Sequence, residues 1–156
     1  MSLETVKAFF SSNNALDRVI ELTESSATVD LAAAALGCLP AHIAKTMSFE
    51  VNGETILVVC AGDARVDNRK FKTEFGAKAK MVSPAEVEER TGHAPGGVCP
   101  FAVAQGVRTF LDASLKRFET VYPAAGNASS AVKLSIAELE TYSNHRGWVD
   151  VCRNWQ

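Results

Sequence analysis

The sequence has no uninterrupted apolar run close to the roughly 18–20 residues that a membrane-spanning helix needs. Its longest apolar stretch, Thr55 to Ala61, has the length of a buried strand. It also lacks an excess of positive charge. Sixteen Lys and Arg face 18 Asp and Glu, for a net charge of −2. That argues against a protein that coats nucleic acid through bulk charge, but not against one that grips an RNA end with a few cations. There is no Cys-x-x-Cys pair, and none of Cys38, Cys60, Cys99 and Cys152 sits near a His at zinc-ligand spacing. No metal and no cofactor is expected. The opening residues Met1 to Lys7 do not read as a basic region followed by an apolar one, so a secretory signal is not expected. A reducing cytoplasm is then the expected compartment, with Cys38 and Cys60 as small buried thiols. Internal repeats, low-complexity segments and long linkers are lacking too. A single domain over residues 1–156 follows.

What is present suits such a domain. Apolar residues make up 47% of the chain and charged residues 22%, which is enough apolar matter for a core without staples. A chain of this size buries about 68–70% of its unfolded surface. Ser2 reads as the cap of a first helix through about Ser11, and Val19 to Leu22 as a short strand. Thr28 caps a helix through Leu36 that Gly37 stops, and Pro40 forbids continuation. Ala44 to Val51 alternates like a strand, Asn52-Gly53 is a preferred hairpin turn, and Glu54 to Ala61 returns as a more buried strand. Asp67 caps a helix ending before Gly76. Lys78 to Val82 reads as a short strand. Ser83 to Glu86 carries the pattern of a capping box with Pro84 at the first helical position. Short strands are expected at Val107–Leu111, Phe118–Tyr122 and Val132–Ile136. A second capping box, Ser135 with Glu138, opens a helix through about Ser143, and the chain closes on Trp148 to Val151. Hairpins mixed with helices, without regular βαβ alternation, indicate an α+β fold with a mixed, curved, barrel-like sheet surrounded by helices.

Three features could carry chemistry. Thr91 to Pro100 holds three glycines and two prolines, which cost stability unless the backbone has a task. Gly96 and Gly97 can turn amide N–H groups toward an anion or a carbonyl oxygen; a tight surface loop is the plainer reading. Lys45 begins the long strand and by alternation shares the apolar face of Met47 and Phe49. It is either a cation at a pocket rim or a strand-end lysine reaching solvent. Gly126 and Asn127 lie in a small-residue loop, where Asn127 either turns the chain or bonds a ligand.

Together, His42 to Phe49 with Lys45, and Thr91 to Phe101 with Gly96 and Pro100, resemble the YbaK/ProX family of aminoacyl-tRNA editing proteins. The same domain is inserted in many bacterial prolyl-tRNA synthetases. Thr109 to Leu115, Gly126-Asn127 and Leu134 to Leu139 add to the resemblance, which runs from about Thr28 to Leu139. It implies a mixed α/β fold and hydrolysis of the ester joining a wrong amino acid to tRNA, chiefly tRNA for proline. It implies that Lys45 engages the terminal adenosine or its phosphate. The loop Gly96, Gly97, Val98, Cys99 and Pro100 would hold the aminoacyl carbonyl.

The implied partners are the acceptor end of a mischarged tRNA and an aminoacyl-tRNA synthetase; neither membrane nor DNA is implied. Met47, Phe49, Val98 and Cys99 are expected to line the pocket. His93 is read either as bonding the substrate or a water, or as holding the loop. Asp112 is read as a cap, or as an anchor for the substrate ammonium. Cys99, six residues from His93, invites a thiol-nucleophile reading, but no third group is in sight to orient the imidazole. A catalytically inactive module binding tRNA or a synthetase is the competing class.

Overall fold

The computed structural model describes residues 2–155. Its centre is a hairpin of β2 (Ile43–Val51) and β3 (Glu54–Ala61), paired in full register from Ala44–Ala61 to Val51–Glu54. Asn52 and Gly53 both take positive φ, 51° and 82°, as a two-residue loop of the mirror-image kind requires. The hairpin is flanked by parallel neighbours. β5 (Arg108–Asp112) runs beside β3, and β6 (Thr120–Pro123) beside the start of β2. With β8 (Leu134–Ser135) and β9 (Trp148–Val149) at the edges, six strands form a curled half-barrel in the order β8-β6-β2-β3-β5-β9. The mixed, curved sheet with helices around it is the architecture expected from the sequence.

Central position explains composition. β3 has a strand on each side and cover on both faces, so Ile56 to Ala61 are all fully buried, and the run is continuously apolar rather than alternating. Its faces pack against α1 (Ser2–Ser12), α3 (Asn68–Phe75) and α5 (Ile136–Ser143). Phe9, Phe10, Phe101 and Tyr142 form one aromatic cluster, and Phe49, Phe71, Phe75 and Phe110 another, mostly edge-on or tilted.

Local signals set several boundaries. The Thr28 hydroxyl accepts the Leu31 N–H at the start of α2 (Val29–Leu36), and Gly37 closes it at φ 71°. The Asp67 carboxylate accepts the N–H groups of Arg69 and Lys70. Ser135 and Glu138 form the reciprocal box at α5.

Four expectations need correction. Lys78 to Val82 is not a strand: it meets β2 through the single bridge Phe49–Met81, held by Glu50 N–H to Lys80 C=O and Val82 N–H to Ser48 C=O. α4 (Pro84–Thr91) begins too soon afterwards for a ladder to extend. Ser83 forms no capping box; its hydroxyl donates to the Glu86 carboxylate at 3.0 Å, and the Glu86 N–H donates instead to Ser83 C=O at 2.9 Å. Ser2 lies within α1, and its hydroxyl donates to Gly126 C=O at 2.6 Å. The expected strand Val132–Ile136 divides into β7 (Ser130–Val132) and β8, because β7 pairs with β1 (Val19–Glu21) and β8 with β6.

Candidate functional site

The glycine-rich loop is a turn wedged between two other loops. Gly97 N–H donates to Ala94 C=O at 3.0 Å, and Gly96 has φ +85°. Pro95 and Gly96 thus occupy the two central positions of a type II turn, where proline pre-sets the first and glycine supplies the positive φ of the second. A Cβ on Gly97 would lie 2.4 Å from both N and Cα of Asn127. A Cβ on Gly96 would touch Ala27 and Ala128 at 3.3 Å. Among the described residues, the amides of Gly96 and Val98 donate to no protein acceptor.

Beside this turn lies a small cavity of about 200 Å³. Gly96 and Val98 form one wall. Ser26 to Val29, at the entry to α2, form a second. Lys45 and Thr46 of β2, with Tyr122 of β6 and Ser130 of β7, complete it. Ser26 is fixed there by reciprocal bonds: its Oγ donates to Ser130 C=O and accepts Ser130 N–H. Thr46 Oγ1 is buried and has no hydrogen-bond partner. An unpartnered buried hydroxyl is costly.

Lys45 links this cavity to a larger one. Its Nζ donates to Ala64 C=O. Lys45 and Val29 also line an open cleft of about 820 Å³, together with Met47, Phe49, Arg65, Arg153 and Met81. Lys45, Met47 and Phe49 do share one face of β2. Asp63 also borders the cleft. The Arg117 guanidinium, bonded to both its oxygens at 2.6 and 2.9 Å, and more weakly the charge of Lys45, hold its carboxyl below the usual range.

The expected site residues therefore separate. Lys45, Gly96 and Val98 meet at the small cavity, and Met47 and Phe49 border the open cleft. Gly97 and Pro100 shape the turn and its exit without lining either cavity. Gly126, at φ +104°, seats the N-terminus of α1: a Cβ there would come within 2.7 Å of the Ser2 backbone. Asn127 closes a turn, its Oδ1 accepting Ser129 N–H at 3.0 Å. Asp112 is fully buried and acts as a cap and a tie, its two oxygens accepting Ser114 N–H and Val151 N–H at 2.9 Å each.

His93 and Cys99 lie together in the core. His93 Nε2 is 2.7 Å from Phe101 C=O and 3.5 Å from Cys99 Sγ. A carbonyl only accepts, so Nε2 carries the proton and cannot take one from the thiol. Burial lowers the imidazole pKa and pushes the Cys99 thiol up to about 12. A neutral thiol beside a nitrogen that is already protonated is not an activated nucleophile. Thr46, Ser26 and Tyr122 were missed from sequence. For Thr46 a signal existed: as the neighbour of Lys45 it must point to the opposite face of the strand.

A curled mixed sheet that sets a strand lysine beside a proline–glycine turn defines a kind of domain, and the comparisons identify it. Residues 23–142 match the model of the aminoacyl-tRNA editing domain, and the chain belongs to that family. It is 48% identical to the uncharacterized protein YwhH of Bacillus subtilis strain 168 over 157 residues, covering all of both chains. It is 28% identical over 115 residues to the proline–tRNA ligase of Lysinibacillus sphaericus strain C3-41, covering 72% of this chain and 20% of the ligase. A solved structure of a candidate trans-editing enzyme for prolyl tRNA synthetase superposes with a TM-score of 0.87 at 26% identity, covering 97% of each chain. Among the described residues, no helix is long and apolar enough to cross a membrane, and no cluster of His, Cys, Asp or Glu could hold a metal.

Proposed function

We propose that this chain is a trans-acting deacylase, hydrolysing the ester that joins a small amino acid such as alanine, cysteine or serine to tRNA for proline or a related tRNA. The observation that carries the reading is the pair of adjoining cavities with Lys45 and Val29 in both. The small one has the dimensions of a short amino-acid side chain with its ester carbonyl. The large one has room for the terminal adenosine. Lys45, at the junction, neutralises the phosphate or fixes the ribose between them.

An aminoacyl ester is labile, so positioning and stabilisation of the developing oxyanion suffice. The unpartnered amides of the turn, Gly96 and Val98, supply donors for the carbonyl oxygen. Water attacks the carbonyl carbon, the bond to the ribose oxygen breaks, and that oxygen takes up a proton. Free amino acid and intact tRNA leave. Discrimination against proline at the small cavity would make the site a second sieve. A synthetase that hands over the tRNA is the partner such a division of labour favours.

The test is deacylation of tRNA for proline charged separately with alanine, cysteine, serine and proline. Release above the uncatalysed rate is expected for at least one small amino acid, and little for proline. No acceleration on any of them would sink the proposal. Lys45→Ala should cost roughly 10²–10³ in rate, the scale of one transition-state donor, with the circular dichroism spectrum unchanged. Wild-type activity in that variant would remove Lys45 from the mechanism.

A further inference from the structure

The net charge of −2 conceals a strong separation of charge along the chain. Residues 65–80 carry six cations (Arg65, Arg69, Lys70, Lys72, Lys78, Lys80) and two anions (Asp67, Glu74), a local balance of +4. The remaining residues carry ten cations and 16 anions, a balance of −6. The fold lays part of this positive segment beside the site. β4 (Arg65–Val66) pairs with β10 (Cys152–Arg153), which sets Arg153 directly opposite Arg65. Both side chains are exposed and line the open cleft that also contains Lys45. The cleft is continued by a second groove of about 400 Å³, where Arg69, Lys72 and Lys78 converge. Asn68 and Ala79 border both depressions, so the two form one track.

The state of the cations along this track separates them from most others in the molecule. Lys7, Arg18, Lys70, Lys80, Arg90, Arg108 and Arg117 each form an ion pair with an acidic side chain. Among the described residues, Lys45, Arg65, Arg153, Arg69, Lys72 and Lys78 form none. Two acids border the cleft, Asp30 and Asp63, and Asp63 is already held by Arg117 at both oxygens. Asp67 feels the charge of Arg153, but the cations outnumber the acids near them. Like charges gathered with too few counter-ions repel one another, and a polyanion laid along them relieves that repulsion. Exposed cations on one strand pair, one helix and the segment after it fit a line of successive phosphates rather than a single anion.

We propose that the track Arg65–Arg153 to Arg69–Lys72–Lys78 binds the phosphate backbone of the tRNA acceptor stem, leading its 3′ end to Lys45. The inference rests on the deacylase reading for the placement of that 3′ end. It adds a stem-binding surface that begins at the edge of the open cleft and continues beyond it along Arg69, Lys72 and Lys78. Affinity then comes from a local stripe in an acidic protein, so binding is strongly salt-dependent although the whole chain is negative.

The test uses the full chain and the variant Arg69→Gln/Lys72→Gln/Lys78→Gln, changed only at exposed positions. Binding of uncharged tRNA is titrated across salt concentrations. Hydrolysis is followed on mischarged tRNA and on an aminoacyl ester of a short CCA oligonucleotide that has no stem. Each lost phosphate contact should lower the slope of log K against log salt by about 0.7–0.9, so the triple variant should lose roughly 2–3. The ratio of its rate on whole tRNA to its rate on the short ester should fall at least ~10-fold at sub-saturating RNA, in step with the loss of binding. An unchanged slope and ratio would overturn the track. So would a wild-type protein whose tRNA binding is indifferent to salt. Failure of the wild type to hydrolyse the short ester would instead strike the deacylase reading, and the salt titration would still decide the track.

Discussion

Gly97 and Asn127 stand backbone to backbone: a Cβ added to Gly97 would fall 2.4 Å from both N and Cα of Asn127. Neither atom can retreat as the end of a flexible side chain could. Gly97→Ala should therefore push apart the turn at 94–97 and the loop at 126–128. Overpacking of this kind costs about 1–3 kcal/mol, or several degrees of melting temperature for a domain of this size. Deacylation should fall with it, because Val98 follows Gly97 directly. Gly106→Ala is the control. Gly106 also has positive φ, +88°, but nothing lies within 4 Å of its missing Cβ. It should lose only about 1 kcal/mol and keep activity. Equal melting temperatures for the two variants would contradict the close approach.

Cys99→Ser should leave deacylation within a few-fold of the wild type. The thiol is buried in the core, its pKa is pushed up to about 12, and its neighbour His93 Nε2 carries a proton. In the folded protein at pH 8, alkylation should reach the half-exposed Cys38 and spare Cys60, Cys99 and Cys152; denaturant should expose all four. A loss near 10³-fold in the serine variant would restore the thiol to the mechanism.

His93 makes stability depend on pH in a defined direction. Burial, as the largest cause, lowers its pKa from the ordinary 6.5, and the bond to Phe101 only partly opposes this. The unfolded chain then binds the proton more readily than the folded one. The stabilisation is complete above pH 6.5 and is lost as pH falls below that value toward the folded pKa. Glu50, Asp63 and Asp67 have depressed carboxyl pKa values, so their stabilisation is lost only as pH falls below the ordinary 3.8–4.5. A decline in melting temperature between pH 6.5 and 5 therefore belongs to His93. Thermal melts of His93→Gln should flatten it. An unchanged slope in the variant would assign the decline elsewhere.

Thr46→Val keeps the branched shape and removes a buried hydroxyl that has no partner. Leaving such a group unsatisfied costs about 1–3 kcal/mol, so the valine variant should melt at the same temperature or higher. Its deacylation rate should stay within a few-fold of the wild type, because Thr46 borders the cavity while its hydroxyl oxygen is sealed from it. A less stable variant would show that Thr46 Oγ1 has a structural partner, and a large loss of activity would show that the hydroxyl reaches the substrate.

Local chemistry was legible wherever one short segment decides the outcome. Asn52-Gly53 specifies a hairpin because both residues tolerate positive φ. The caps at Thr28, Asp67 and Ser135 specify helix starts because the side chain and the N–H it satisfies are two or three residues apart. Lys45 stood out as a cation on an apolar face, and Gly96-Gly97 as a costly backbone. Ser83 was misread because the Glu86 N–H bonds to the Ser83 carbonyl, which leaves the hydroxyl to donate to the Glu86 carboxylate. Lys78 to Val82 has the composition of a strand, but it meets β2 at a single bridge before α4 begins.

The amino-acid sequence by itself thus determined the hairpin, most helix boundaries and the family. All of these rest on contacts between residues close along the chain, or on motifs in fixed order. Tertiary structure alone decided that β5 and β6 flank the hairpin in parallel. It placed Ser26, Thr46 and Ser130 around one cavity, and it removed His93, Cys99 and Asp112 from both cavities. It also gathered unpaired cations along one side of an acidic protein. Those outcomes depend on which distant segments meet, and meeting is set by how the whole core packs rather than by any local preference.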